Sequence, residues 1–82
     1  MNKFTTFEQA LAYLDCANHY FNAIQNLSID IRVKHEIVRN EYIWTCNRIT
    51  KLDYDKITDD EFNAISDAYE AFRAHYREIV KD

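Results

Sequence analysis

Glycine and proline are both missing from this 82-residue chain, where average usage would supply roughly ten of the two together. Glycine supplies the φ > 0 positions of tight turns and proline fixes rigid corners. Their absence excludes a sheet built from tight hairpins and a glycine-rich loop cradling phosphate. Cysteine is scarce too. Cys16 and Cys46 are too few for a disulfide framework, and each falls within a helical stretch, where a free thiol behaves as a small hydrophobe. Long apolar runs are lacking. Behind Lys3, Glu8 and Asp15 interrupt the N-terminal stretch, which predicts no signal peptide. No segment nears the ~18 uncharged apolar residues of a membrane span. These absences predict a soluble chain in a reducing, cytoplasmic setting, without membrane contact.

What is present is core material. The chain is 48% hydrophobic, with six Tyr, five Phe and a single tryptophan, Trp44, whereas disordered segments are poor in aromatics. One helical domain over residues 1–82 follows, its core marginal at this size without close packing or a partner. Each of three helices has a start signal. Thr6-x-x-Gln9 is a capping box, with Thr5-x-x-Glu8 as an alternative one residue earlier. Phe7, Ala10, Leu14, Ala17, Phe21 and Ile24 then recur at helical spacing. Asn26 is the residue best suited to a left-handed stop, with Leu27 folding back on Phe21. Ser28 caps the next helix, Asp30 lies in its first turn, and Arg48 and Lys51 lie in its last. Thr58-x-x-Glu61 is a further capping box. Phe62, Ile65, Tyr69, Phe72, Tyr76 and Ile79 follow it as an a/d seam over about two and a half heptads. The fold class is all-α: a small antiparallel three-helix bundle with helices at about 7–25, 29–51 and 59–80, for which dimerisation is a candidate completion.

Charge is unevenly spread. Net charge is −4 overall, made up of −2 over residues 1–31, +3 over 32–51 and −5 over 52–82. Asp53, Asp55, Asp59, Asp60, Glu61, Asp67 and Glu70 form the acidic stretch. Acids at that density suit either a helix N-terminus or the basic groove of a partner. Tyr54 sits among them, whereas Tyr13, Tyr20, Tyr42, Tyr69 and Tyr76 fall on or beside core seams.

The second helix carries two apolar stripes. At 100° per residue, Ile31, Val38, Tyr42, Cys46, Ile49 and Leu52 share one side. Ile29, Val33, Ile37 and Trp44 share another, interrupted by Asn40. Two readings stay open. Either this helix is the middle element, giving one stripe to each neighbour, or the Val33-Ile37-Trp44 stripe is left for another polypeptide. The second reading makes Val33, Ile37, Trp44, Arg48 and Lys51 a candidate binding surface, since Trp and Arg lead at interface hot spots. Tyr54, Asp53, Asp55, Asp59, Asp60 and Glu61 are its acidic companions.

Other chemistry is weakly represented. Asp15 with His19, and His75 with Glu78, each share a helix face, but no HExxH, ExxH or CxxC occurs. No metal or cofactor is expected. Cys16-x-x-His19 lacks an orienting third group, so no enzymatic activity is expected. Arg32, Lys34, Arg39, Arg48 and Lys51 make the second helix basic, which supports an alternative role as a small nucleic-acid-associated regulator. Glu36 and Glu41 interrupt that track, so direct nucleic-acid contact is the weaker reading.

Short, rich in Asn and Tyr, mildly acidic and free of catalytic motifs, the chain resembles in general character the small stand-alone helical proteins encoded by bacteriophages. That resemblance implies a host-cytoplasmic inhibitor that binds and blocks a nucleic-acid-handling or defence protein, in the manner of anti-restriction and anti-CRISPR proteins. The expected partner is another protein, from the host or a second copy.

Overall fold

A computed structural model describes residues 5–81; Lys3, used above in arguing against a leader, lies outside the described residues. Three α-helices and one 3₁₀ turn follow in order: α1 (Phe7–Gln25), α2 (Ile31–Ile49), the turn Tyr54–Lys56, and α3 (Asp59–Val80). The all-α three-helix bundle expected from the sequence is the fold observed. None of these helices is long and apolar enough to cross a membrane.

Both capping boxes form. Thr6 Oγ1 accepts from the Gln9 N–H at 3.1 Å, and Gln9 Oε1 accepts from the Thr6 N–H at 3.0 Å. Thr58 and Glu61 repeat the pair at 3.1 and 3.0 Å. Helix α2 departs from expectation. Its cap is Asp30, whose carboxylate accepts from the Arg32 N–H at 2.8 Å, so Ser28 stays in the connector. A carboxylate is the stronger, charge-assisted acceptor for an orphan helix donor. The helix also stops at Ile49, with Thr50 as its C-cap, and Lys51 lies beyond it.

No described residue has positive φ. Asn26 is right-handed, at φ −86° and ψ −4°. Helix α1 instead tightens through three-residue hydrogen bonds, from Asn26 N–H to Ala23 and from Leu27 N–H to Ile24. The Lys34 ammonium donates to the Gln25 carbonyl at 3.0 Å. A lysine thus satisfies a helix end that a left-handed residue often serves. Leu27, freed from folding back, is exposed.

Helix α1 is the central element. It packs on both neighbours more extensively than they pack on each other, and the bundle is flattened to 42 × 27 × 16 Å. Of the two readings open for α2, the one that makes it the middle helix is therefore not the arrangement observed. Between Glu8 and Gln25, α1 carries one other acid, Asp15, and Ala10 and Ala17 are fully buried. Small residues on its inner face let both neighbours approach closely.

The core is aromatic at its centre. Phe21 of α1 and Tyr42 of α2 stack on Phe72 of α3 at 5.6 and 5.0 Å between ring centroids, and Tyr76 lies 4.1 Å from Tyr42. Residues assigned to core seams at the bundle ends depart from that pattern. Phe62 is 47% exposed and Ile31 58% exposed, and Tyr20, on or beside a seam, is also on the surface. The antiparallel register that sets Cys46 beside Tyr69 places Phe62 opposite the segment after α2, where no helix remains to cover it. Ile31 occupies the first turn of α2 and lines an open notch with His35 and Ile79.

Thr5 has a role the capping pattern did not assign. Its hydroxyl donates to the Arg48 carbonyl at 2.8 Å, and its N–H donates to the Lys51 carbonyl at 2.9 Å. The segment before α1 thereby closes the frayed end of α2. Thr5→Val keeps the shape and removes the hydroxyl. It should lower unfolding free energy by about 1 kcal/mol and speed amide exchange in the last turn of α2, measured by denaturant titration and hydrogen exchange.

Candidate interaction surface

Helices α1 and α2 form an antiparallel pair, and residues a heptad apart on each meet. Tyr13 packs edge-on against Trp44 with centroids 5.5 Å apart and planes at 90°. Further along, Tyr20 and Ile37 bound a groove of ≈ 430 Å³ together with Asn40, Glu41 and Trp44. Trp44 remains 44% exposed there, and Val33, one turn beyond Ile37, is 46% exposed. The Arg48 guanidinium lies 4.8 Å from the indole centroid, a stacked cation on the ring. Helix α1 therefore covers the edge of the Val33-Ile37-Trp44 stripe and leaves its outer part bare. Leu27 and Ile29, both exposed, extend apolar surface into the α1–α2 connector.

The opposite stripe of α2 is core. Val38 and Ile49 are buried, and Tyr42 and Cys46 pack against α3. Each stripe thus meets one neighbour, α1 on the Trp44 side and α3 on the other, but the Trp44 stripe is met incompletely. Glu41, on the groove wall, has its carboxyl proton affinity raised by burial.

The predicted residues divide between two places. Trp44 and Cys46 are two residues apart, about 200° around the helix, so surfaces built on them lie on opposite sides of α2. Ile37 and Trp44 line the groove, with Arg48 against the indole and Val33 one turn beyond Ile37. Tyr54 belongs to a cleft on the α3 side, with Cys46, Ile49, Phe62, Ile65 and Tyr69. Lys51 is exposed and lends its carbonyl to Thr5. Among the acids, Asp53 caps the 3₁₀ turn and lies 3.8 Å from the Lys56 ammonium, and Glu61 is spent on its capping box. Asp55, Asp59 and Asp60 are exposed and make no ion pair among the described residues. Tyr20 and Phe62 were not among the candidates, because helical spacing places both beside core seams.

In the cleft, the Tyr69 hydroxyl is 3.6 Å from the Cys46 sulfur. That hydrogen bond, and then burial, holds the phenol well above its ordinary range. The folded state therefore keeps a proton that the unfolded chain loses near pH 10. The stabilisation is complete below that pH and is lost as pH climbs towards the folded value. Tyr69→Phe should flatten the fall in stability above about pH 10, measured by urea unfolding of both proteins from pH 8 to pH 11.

Asp15 and His19 pair at 3.6 Å on an exposed face, and His75 Nδ1 meets Asn18 Oδ1 at 2.9 Å rather than Glu78. Among the described residues no three His, Cys, Asp or Glu gather as metal ligands, and both cysteines are free. The basic residues of α2 are largely engaged within the chain. Lys34 holds Gln25, Arg32 lies 3.6 Å from Asp30, and Arg48 covers Trp44. No protein-family model, curated protein or solved structure matches this chain.

Proposed function

We propose that this protein is a non-enzymatic interaction module that works by stoichiometric binding of another polypeptide through the α1–α2 groove. The observation that carries this reading is a half-exposed Trp44 set in a groove with Tyr20 and Ile37 on a flattened bundle, with exposed Val33 further along the same stripe. Contiguous apolar surface with an aromatic at its centre is characteristic of binding sites on small folded proteins. Asp55, Asp59 and Asp60 add a negative field that draws a basic target towards the same molecule. Occupation of the groove blocks or redirects whatever the partner does, and a second copy is the alternative occupant.

Trp44→Arg tests this in the cell that produces the protein. The tagged native chain should co-purify with a partner in fixed stoichiometry, or with itself by light scattering. The variant should lose it while retaining its helical circular dichroism. Loss of helicity would mark Trp44 as a folding residue and overturn the assignment.

A further inference from the structure

The stretch that leads into α2 has the wrong period for a helix. Leu27, Ile29, Ile31 and Val33 alternate strictly with Ser28, Asp30 and Arg32. A period of two belongs to a strand, and three of the four apolar residues are β-branched, the type that strands favour. Within α2, Ile31 and Val33 lie about 200° apart around the axis, so no single neighbour can cover both. All four apolar residues stay 39–58% exposed. In an extended chain the same four would share one face.

The segment is also weakly held. Every residue from Gln25 to Val33 is exposed, and no side chain between Ile24 and Val38 is buried. Its ties are the Asp30 cap and the Lys34 ammonium on the Gln25 carbonyl. A segment with so little buried contact opens at a cost well below that of global unfolding.

We infer that residues 27–33 are a latent pairing strand: with the first turn of α2 open, two copies join antiparallel about Ile31. Charge fixes both direction and register. Centring on Ile31 sets Asp30 of each copy opposite Arg32 of the other, giving two ion pairs on one face. On the other face Ile29 meets Val33 twice, flanking a central Ile31 pair, as two-fold symmetry requires. Centring on Asp30 or on Arg32 would oppose like charges, and parallel in-register pairing would do the same. In the monomer Arg32 already lies 3.6 Å from Asp30 of its own chain, so pairing exchanges that contact between copies. No proline or unopposed charge guards the segment in the way that folded proteins protect an edge strand.

The test uses the full chain, concentrated and held just below its melting temperature. It should associate, gain the infrared band of intermolecular β-structure, and protect amides 27–33, which exchange fast in the monomer. Ile31→Pro should abolish this and keep the helix. Ile31 is the first helical residue, where proline is tolerated, and Asp30 already has the ψ of 136° that a residue before proline favours. Proline at the centre of the pair removes a ladder donor. Arg32→Glu leaves the Asp30 cap in place but opposes two acids at each pair, and should cut association about tenfold at low salt. It supplies the same test if Ile31→Pro loses helicity. Lys34→Ala frees the Gln25 carbonyl and should raise association about fivefold. A chain that stays monomeric and helical, or association that survives both Ile31→Pro and Arg32→Glu, would overturn the inference. Association that Trp44→Arg abolishes and Ile31→Pro leaves untouched would also overturn it, with the α1–α2 groove reading intact.

Discussion

Phe72→Ala should leave the protein barely folded, while Phe62→Ala, on the same seam of the same helix, should leave it well folded. Phe72 is fully buried and touches all three helices through Phe21, Tyr42 and Tyr69. Removing a buried phenyl ring costs about 3–5 kcal/mol, from lost transfer energy plus the cavity left behind. A chain of this length has roughly 4–12 kcal/mol to lose. The melting temperature should fall by about 4–8 °C for each kcal/mol. At the lower end of the range the variant has no folded population at 37 °C. Phe62 loses an edge contact with Tyr54 and surface that water already half covers, so its truncation should cost under about 1.5 kcal/mol. Thermal melts of the two variants side by side distinguish a seam buried along its length from one buried only at its centre.

Trp44→Ala should separate stability from association. Within the chain the indole makes one edge-to-face contact with Tyr13 and one cation–π contact with Arg48. Such contacts are worth about 0.5–1.5 and 0.5–1 kcal/mol at exposed positions, so the fold should survive with a loss of about 1–2 kcal/mol. Association should suffer more. An aromatic at the centre of an interface typically costs 2 kcal/mol or more when truncated, about thirtyfold in Kd. Denaturant unfolding gives the first quantity and titration against the captured partner gives the second. A stability loss comparable to that of Phe72→Ala, with affinity unchanged, would place Trp44 in the core.

The bundle was legible in the sequence because its signals are local. Thr6-x-x-Gln9 and Thr58-x-x-Glu61 act over three residues, and both form as read. The 3.6-residue spacing of Ala10, Leu14, Ala17, Phe21 and Ile24 finds the buried face of α1 without tertiary information. What the sequence did not contain is how far each helix overlaps its neighbour. Phe62 and Ile31 satisfy the periodicity of a buried face, yet each lies towards a bundle end and is about half exposed. Periodicity reports the direction of a side chain and is silent on whether anything stands opposite. The α2 stripes show the same limit. The 100° projection separated Trp44 from Cys46 correctly, but only the packing shows that α1 is central and reaches the indole from one side. By spacing alone Thr5 is a rival cap for α1. Its hydrogen bonds to Arg48 and Lys51 cross from one helix to another, a pairing that no spacing rule along the chain encodes.

The central claim is that a polypeptide other than this chain's own helices covers the Val33 side of α2. A photoreactive amino acid at Val33, compared with one at exposed Ala71 on α3, tests it inside the producing cell. The account predicts a discrete adduct from position 33 alone, twice the chain's own mass for a second copy or another single mass for a partner, and its disappearance when Trp44→Arg is added. Free monomer from position 33, or the same adducts from both positions, would contradict it.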